Sequence, residues 1–464
     1  MYYRLKVDYA LRGYRGATCV LVNRQNGMHK LLAPPVFRVL MLADGVSPLK
    51  LSDLTKDEQN HLKSMIKNGI VTASDSPDEI EEAQRYRLFD NRFVKAIMWS
   101  LTGRCNFRCR HCYLDSPDSV WHELTTAEAM NVIDQMAECG VLSVHLTGGE
   151  PLVRPDFWKI VDRLCEKNIH IGTIYSNAWL IDDALLDQLE SRGLKPEFSI
   201  SFDGLGWHDW MRGVPGAEKH TLEVMEKCVK RGFMVNAAIS LHRGSAGTLR
   251  DTFLKLREIG VPKAKVGGVQ PTDLWLKNNE GNLISDEEYL KIVLDYIPHY
   301  YEDGRPLFIH FGNVAILHPE PEKYKVTALR YPDSPESEDM YLCSNARFSG
   351  YIAPDGRLLP CLPMTACAEQ EIFPMIGEIG LKQALTDSVY MHFIDRRVRD
   401  LMKVNDQCSV CPHKYVCGGG CRANALFSSC DLMGCDKLQC FLFENDYPAR
   451  IRETIEKAIK AHCL

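Results

Sequence analysis

The 464-residue chain has no run of apolar residues long enough, at roughly eighteen or more, to span a bilayer. Its first twenty residues alternate charged and aromatic side chains and contain no apolar core of a secretory signal. The protein is therefore expected to be cytoplasmic, without a membrane partner. An excess of positive charge is also lacking. The net charge of -6 gives no global attraction to nucleic acid, and no nucleic-acid partner is expected. What remains, at 45% hydrophobic and 25% charged residues, is an ordinary globular composition in a chain long enough for several cores.

Cysteine is abundant instead. Eighteen cysteines without an export signal speak against a disulfide scaffold and for metal ligation in a reducing compartment. One precedes position 105, and eleven follow position 340. Cys105, Cys109 and Cys112 form C-x3-C-x2-C in the stretch Leu101 to Tyr113. Three thiolates this close can hold three corners of a cubane and leave one iron open. A structural zinc site takes four ligands, so an open corner implies an exogenous ligand.

Periodicity divides the chain. Residues 1–75 alternate as strands over Met1–Tyr9 and Ala17–Asn23, with Arg12 to Gly16 as the turn. Helices follow from Pro34 and over Thr55–Asn68, then a short strand at Ile70–Thr72, a winged-helix-like pattern. Residues 76–93 read as a linker helix or strap. From Val94 to 312, six strands alternate with helices: Val94–Leu101, Leu142–Thr147, Ile169–Tyr175, Glu197–Phe202, Met234–Leu241 and Lys263–Val269. Thr125 and Glu128 form a capping box before the apolar stripe Ala129, Val132, Ile133 and Met136. The fold class is α/β, a partial (β/α)6 TIM-like barrel between a winged-helix-like module and a Cys-rich region at 313–464. In such barrels, loops after the strand C-termini carry chemistry. The cysteine triplet, Thr147 to Pro151, Ser176-Asn177 and Ser201 to Gly204 all fall there.

The triplet, with His111 as the aromatic before its last cysteine, resembles the radical S-adenosylmethionine (SAM) enzymes. The resemblance implies a [4Fe-4S] cluster on Cys105, Cys109 and Cys112. Its open iron takes the amino and carboxylate groups of SAM, which one electron cleaves to a 5'-deoxyadenosyl radical. By position, Gly148, Gly149 and Glu150 would meet the SAM amino group, and Ser176 and Asn177 the ribose. Ser201 and Asp203 would lie near ribose or carboxylate, with Arg212 as a carboxylate partner. Val266 to Val269 would suit the adenine face. Ser176, Asn177, Ser201 and Asp203 can also serve as helix caps or Asx turns, and Val266 to Val269 is equally a tight backbone crossing.

Among the later cysteines, Cys408-x2-Cys411-x5-Cys417-x3-Cys421 is dense enough for one zinc site, but that leaves the others unexplained. With Cys343 and Cys361 before it, Gly418 to Gly420 inside it and Cys440 after it, the order resembles the SPASM extension of radical SAM enzymes. That resemblance implies two auxiliary iron-sulfur clusters, for three clusters of [4Fe-4S] type in all. Cys343, Cys361 and Cys421 would ligate the first; Cys408, Cys411, Cys417 and Cys440 the second, with Cys435 as the alternative to Cys440. No cysteine lies between Cys343 and Cys361, so the first auxiliary cluster would have an open iron unless Cys367 or Cys430 closes it. Leu362 stands where sulfatase-maturing relatives carry an aspartate, which counts against that activity.

Residues 1–75 resemble the precursor-recognition elements of enzymes that modify ribosomally made peptides, where a leader adds a strand to a sheet edge. The expected function is thus a radical SAM peptide maturase that installs a crosslink, thioether first and carbon-carbon next. It would take electrons from a flavodoxin or ferredoxin, and no catalytic acid or base stands out. Maturation of a small redox cofactor or haem precursor is the alternative within the enzyme class. A zinc-organised, non-catalytic regulator is the alternative outside it.

Overall fold

The computed structural model describes residues 1–116 and 121–463. At the N-terminus, β1 (Tyr2–Leu5) pairs antiparallel with β5 (Val71–Ser74), and two helices lie between them in sequence. Helix α1 (Pro34–Met41) starts on two prolines, and α2 (Lys56–Lys67) starts on a Thr55–Glu58 capping box. Their buried faces, Val39, Leu40, Leu62 and Met65, join Leu5, Leu11, Leu21 and Val71 in a small core.

Strands β2 (Tyr9–Tyr14), β3 (Ala17–Asn23) and β4 (His29–Leu31) form an antiparallel meander, to which β6 (Arg87–Phe89) adds parallel to β2. Two details depart from the sequence reading. The strand expected over Met1–Tyr9 breaks after Leu5, where the Tyr9 N–H closes a turn onto the Lys6 carbonyl at 2.9 Å. Arg12, Gly13 and Tyr14, expected as a turn, continue β2. Gly13 serves packing, because an added Cβ would overlap the Tyr86 ring. The strap is extended, with one short 3-10 turn over Glu82–Gln84. It is tied down by the fully buried Gln84 amide, which donates to the Leu5 and Lys6 carbonyls at 3.0 and 2.9 Å.

Six parallel strands then follow in spatial order: β7 (Ala96–Ser100), β8 (Ser143–Thr147), β9 (His170–Ser176), β10 (Glu197–Ser201), β11 (Val235–Leu241) and β12 (Lys263–Gly268). Helices α3 (Thr126–Glu138), α4 (Phe157–Glu166) and α5 (Asp183–Ser191) connect the first strands. The short α6 (His208–Arg212), α7 (Ala217–Lys230), α8 (Arg243–Ala246) and α9 (Leu249–Glu258) continue the series, followed by α10 (Asp273–Asn278) and α11 (Asp286–Glu302). The Thr125–Glu128 capping box forms, and α3 buries the four residues of the expected stripe.

The sheet does not stop at six strands. β13 (Phe308–Phe311) adds parallel to β12, and β14 (Ala315–Leu317) turns back on it. On the opposite edge, β15 (Ser349–Ile352) adds parallel to β7, and β16 (Leu358–Leu359) pairs antiparallel with β15. These additions are two to four residues long, too short to show a period in sequence. The C-terminal region is therefore hydrogen-bonded into the central sheet. Among the described residues, no helix is long and apolar enough to cross a membrane.

Candidate active site

The loops leaving the C-terminal ends of β7 to β10 converge. Cys105, Cys109 and Cys112 lie in the loop after β7, and the segment Thr147 to Pro151 at the end of β8 is laid along that loop. Gly149 N–H donates to the Thr102 carbonyl at 2.8 Å, and Glu150 N–H to the Arg104 carbonyl at 2.9 Å. The two glycines are required by this contact. A Cβ on Gly148, whose φ is +152°, would sit 2.6 Å from the Thr102 oxygen, and one on Gly149 would overlap the Arg104 carbonyl.

Each triplet sulfur receives an N–H. The Phe107 amide points at Cys105 Sγ at 3.4 Å, and the Asn177 side-chain amide at 3.7 Å. Arg212 Nη1 lies 3.6 Å from Cys109 Sγ, and the Ser116 amide 3.4 Å from Cys112 Sγ. Donors aimed at sulfur suit metal-bound thiolates, whose electron density such contacts stabilise. Burial pushes the metal-free Cys105 thiol up to about 12 and raises Cys109 as well, so ligation must displace protons. His111 Nδ1 is buried with no partner among the described residues, and burial lowers the ring to about 3. A neutral, unsatisfied imidazole beside the triplet is what a site for a further bound group would leave. By donor chemistry and this orphaned nitrogen, the residues fit a cluster with an added ligand.

The remaining predicted residues form two buried struts. Glu150 is fully buried. It accepts from Ser176 Oγ at 3.1 Å, the Asn177 amide at 2.8 Å and the Leu152 amide at 3.2 Å. Burial outweighs these bonds and lifts its carboxyl to about 7. Asn177 then reaches Asn106 Oδ1 at 2.7 Å, which links β9 to the cysteine loop. In the second strut, Asp203 takes Arg212 Nε and Nη2 at 2.7 and 3.0 Å, and the Ser240 amide at 3.2 Å. Burial opposes ionisation of Asp203, but the Arg212 charge and the His208 ring, 3.3 Å away, hold its carboxyl well below the usual carboxylate range. Arg212 is thus committed to Asp203 and Cys109. Ser201 ends β10 beside this pair, half-buried. Sequence reasoning missed Asn106 and His208; nothing short of the fold marks either.

In the C-terminal region, Cys343 precedes the helix Ser344–Phe348, Cys361 follows β16, and Cys421 precedes the helix Arg422–Ser429. Burial, together with Cys421 and Cys343, raises the Cys361 thiol, so the three are electrostatic neighbours. Cys367 also acts on Cys361, and Cys430 on Cys367. Tyr113, next to Cys112, is raised by burial and by Cys361 and Cys421, which places this set on the triplet's side of the molecule.

The run Gly418, Gly419 and Gly420 has φ of +55°, +82° and +70°, a left-handed turn that Ala or larger residues resist. Arg330 fastens it, donating to the Gly420 carbonyl at 2.6 Å, and Asp436 accepts the Cys421 amide at 2.7 Å. Cys408 Sγ lies 3.8 Å from Cys435 Sγ, while Cys440 sits within electrostatic reach of Cys417 and Cys435. Among the described residues, no three His, Cys, Asp or Glu side chains converge on one metal ion. A cubane carries its irons at separate corners, so its ligands do not meet at a point.

Residues 99–245 match the radical SAM superfamily, a class of enzymes that uses SAM and a [4Fe-4S] cluster. It is 26% identical over 348 residues to an AdoMet-dependent heme synthase of Methanosarcina barkeri, covering 73% of this chain and 94% of that protein. It is 25% identical over 341 residues to a PqqA peptide cyclase of Granulibacter bethesdensis, covering 72% of this chain and 84% of that protein. Its fold is similar to the crystal structure of Streptococcus suis SuiB bound to precursor peptide SuiA. There the TM-score is 0.66 at 16% identity, over 94% of this chain and 99% of that one.

Proposed function

We propose that this enzyme modifies a ribosomally made precursor peptide, with residues 1–75 receiving the leader and the strand-end loops of the barrel receiving the segment to be changed. The observation that carries this reading is the reach of the fold likeness to a peptide-bound structure. With 94% of 464 residues covered, about 28 lie outside it, fewer than residues 1–75 contain.

Cys105, Cys109 and Cys112 would hold the [4Fe-4S] cluster. Bound SAM and this cluster supply a carbon-centred radical able to take hydrogen from an unactivated C–H bond. The Glu150 strut fixes Ser176 and Asn177 at the rim, and the Asp203 strut fixes Arg212 against Cys109. Ser176, Asn177 and Arg212, with Gly148, Gly149 and Ser201, form the surface proposed for SAM, while Glu150 and Asp203 lie behind it as supports. Cys343, Cys361 and Cys421 would hold a first auxiliary cluster. Cys408, Cys411, Cys417 and Cys440 would hold a second, with Cys435 as the alternative that its contact with Cys408 favours. The product is a crosslink, thioether before carbon-carbon, and a flavodoxin or ferredoxin would deliver the electron.

The heme synthase relative, matched over nearly its whole length, supports a second reading in which a haem precursor is the substrate. Anaerobic reconstitution with iron, sulfide and dithionite tests the shared part: SAM should yield 5'-deoxyadenosine, and about twelve iron per chain should be found if all three clusters form. Peptides encoded beside the gene should then bind residues 1–75 of the whole enzyme under the first reading. Under the second they should not.

A further inference from the structure

A crevice of about 640 Å³ lies away from the cysteine-bearing loops, between the N-terminal sheet and the end of the barrel where its strands begin. It is pinned at two places. Tyr14 Oη donates to the Gly140 carbonyl at 2.6 Å, and the β3–β4 turn at Gly27 packs on His170 and the Leu142 carbonyl. Its charged lining is Arg12, Arg24, Arg85, Arg87 and Lys167 against Glu82.

Some of these charges are answered: Arg24 by Glu81 at 2.9 Å, Arg85 by Glu79 and Glu82, and Lys167 by Asp134 at 2.8 Å. Arg12 and Arg87 have no carboxylate partner among the described residues. Yet the register of the parallel pair β2–β6 sets them side by side. Like charges on neighbouring strands repel. Arg12 spends its guanidinium on the Leu11, Arg85 and Ala83 carbonyls, and Arg87 lies over the Phe89 ring at 4.6 Å. Burial, with Arg87 and Arg24, depresses the proton affinity of Arg12. The floor between the cations is apolar, formed by Val22, Phe89 and Leu142.

From the unanswered Arg12–Arg87 pair over this apolar floor, we infer that the crevice docks a short acidic segment of the precursor peptide, its carboxylates on the arginines and an apolar side chain between them. Arginine clusters over an apolar surface are a recurrent way of capturing acidic motifs. The inference rests on the peptide reading of the substrate. It adds a contact at the barrel base, distinct from the strand-end loops where the chemistry is placed.

Binding can be measured without turnover, by fluorescence anisotropy of the whole chain with a labelled peptide alternating Glu and Leu and with its Gln and Leu counterpart. At low ionic strength the Glu peptide should bind about tenfold or more tightly than the Gln peptide, and the difference should shrink as salt is added. Arg87→Glu, at an exposed site, and separately Lys167→Glu should each remove most of it. Lys219→Glu, on α7 outside the crevice, should leave it intact. Equal binding of the two peptides, or a difference that survives both crevice variants, overturns the inference. So does a single-stranded oligonucleotide that displaces the Glu peptide at lower concentration than the unlabelled peptide does, since the partner would then be nucleic acid. Because no cofactor enters the measurement, a negative result here leaves SAM cleavage untouched, and failure to cleave SAM leaves this site standing.

Discussion

Single side chains set the stability of the site before any cofactor arrives. Glu150 has its carboxyl raised to about 7 from an ordinary 4.5. Between those values the native state holds a proton that the unfolded chain has released. Stability should therefore fall as pH rises from about 4.5 to about 7, by on the order of 3 kcal/mol, and level off above. In Glu150→Gln this slope should be lost, measured as the difference from the wild type in denaturant unfolding at mildly acidic and mildly alkaline pH. One of its two N–H donors, Leu152 or Asn177, is left facing the Gln NH2, which cannot accept, at a cost of about 1–3 kcal/mol. Asp203 is the stricter case, because it neutralises a buried arginine. Asp203→Asn should cost about 3–5 kcal/mol and lower the unfolding midpoint, and adding Arg212→Met should recover part of that loss. If the double variant is no more stable than the single one, the ion pair is not what the strut contributes.

At the level of elements, long periodic stretches were readable and short ones were not. The six strands from β7 to β12 and helix α3 sit where alternation and the capping box place them, because each buries a face long enough to show a period. The N-terminal turn was misread because Gly13 signals a loop by composition but is paired with Leu88 of β6, where a Cβ would overlap Tyr86. In the site, the positions of Cys105, Glu150 and Asp203 followed from strand ends. The contacts that complete it, Asn106 with Asn177, His208 at the start of α6 with Asp203, and Asp436 with the Cys421 amide, are set only by the tertiary fold. The left-handed run at Gly418 to Gly420 is an element in its own right, since Cys417 before it neighbours Cys411 and Cys421 after it neighbours Cys343. Gly419→Ala should destabilise by about 2–4 kcal/mol, combining its φ of +82° with overlap onto Leu401. Iron bound after reconstitution should drop while the triplet's share survives; an unchanged iron content would show that the turn does not position these cysteines.

For the molecule as a whole, the ten-stranded sheet ties the barrel and the C-terminal region together by backbone hydrogen bonds. β7 carries Ile97 and Trp99, both fully buried, and one of its two edges is covered only by β15. Residues 94–312 produced alone should therefore expose an open edge and associate, seen as high-mass species in size-exclusion chromatography. A soluble monomer would mean that β15 is dispensable. Covering that edge also has a cost in time. Ala96 waits for its neighbour Ser349, which is made 253 residues later. At ribosomal rates of about 5–20 residues per second, this leaves the strand that leads into the cysteine triplet without its second partner for roughly 13–50 s. The second partner of this strand exists only once Ser349 has been made, so iron delivered to a shorter nascent chain would meet an unfinished site.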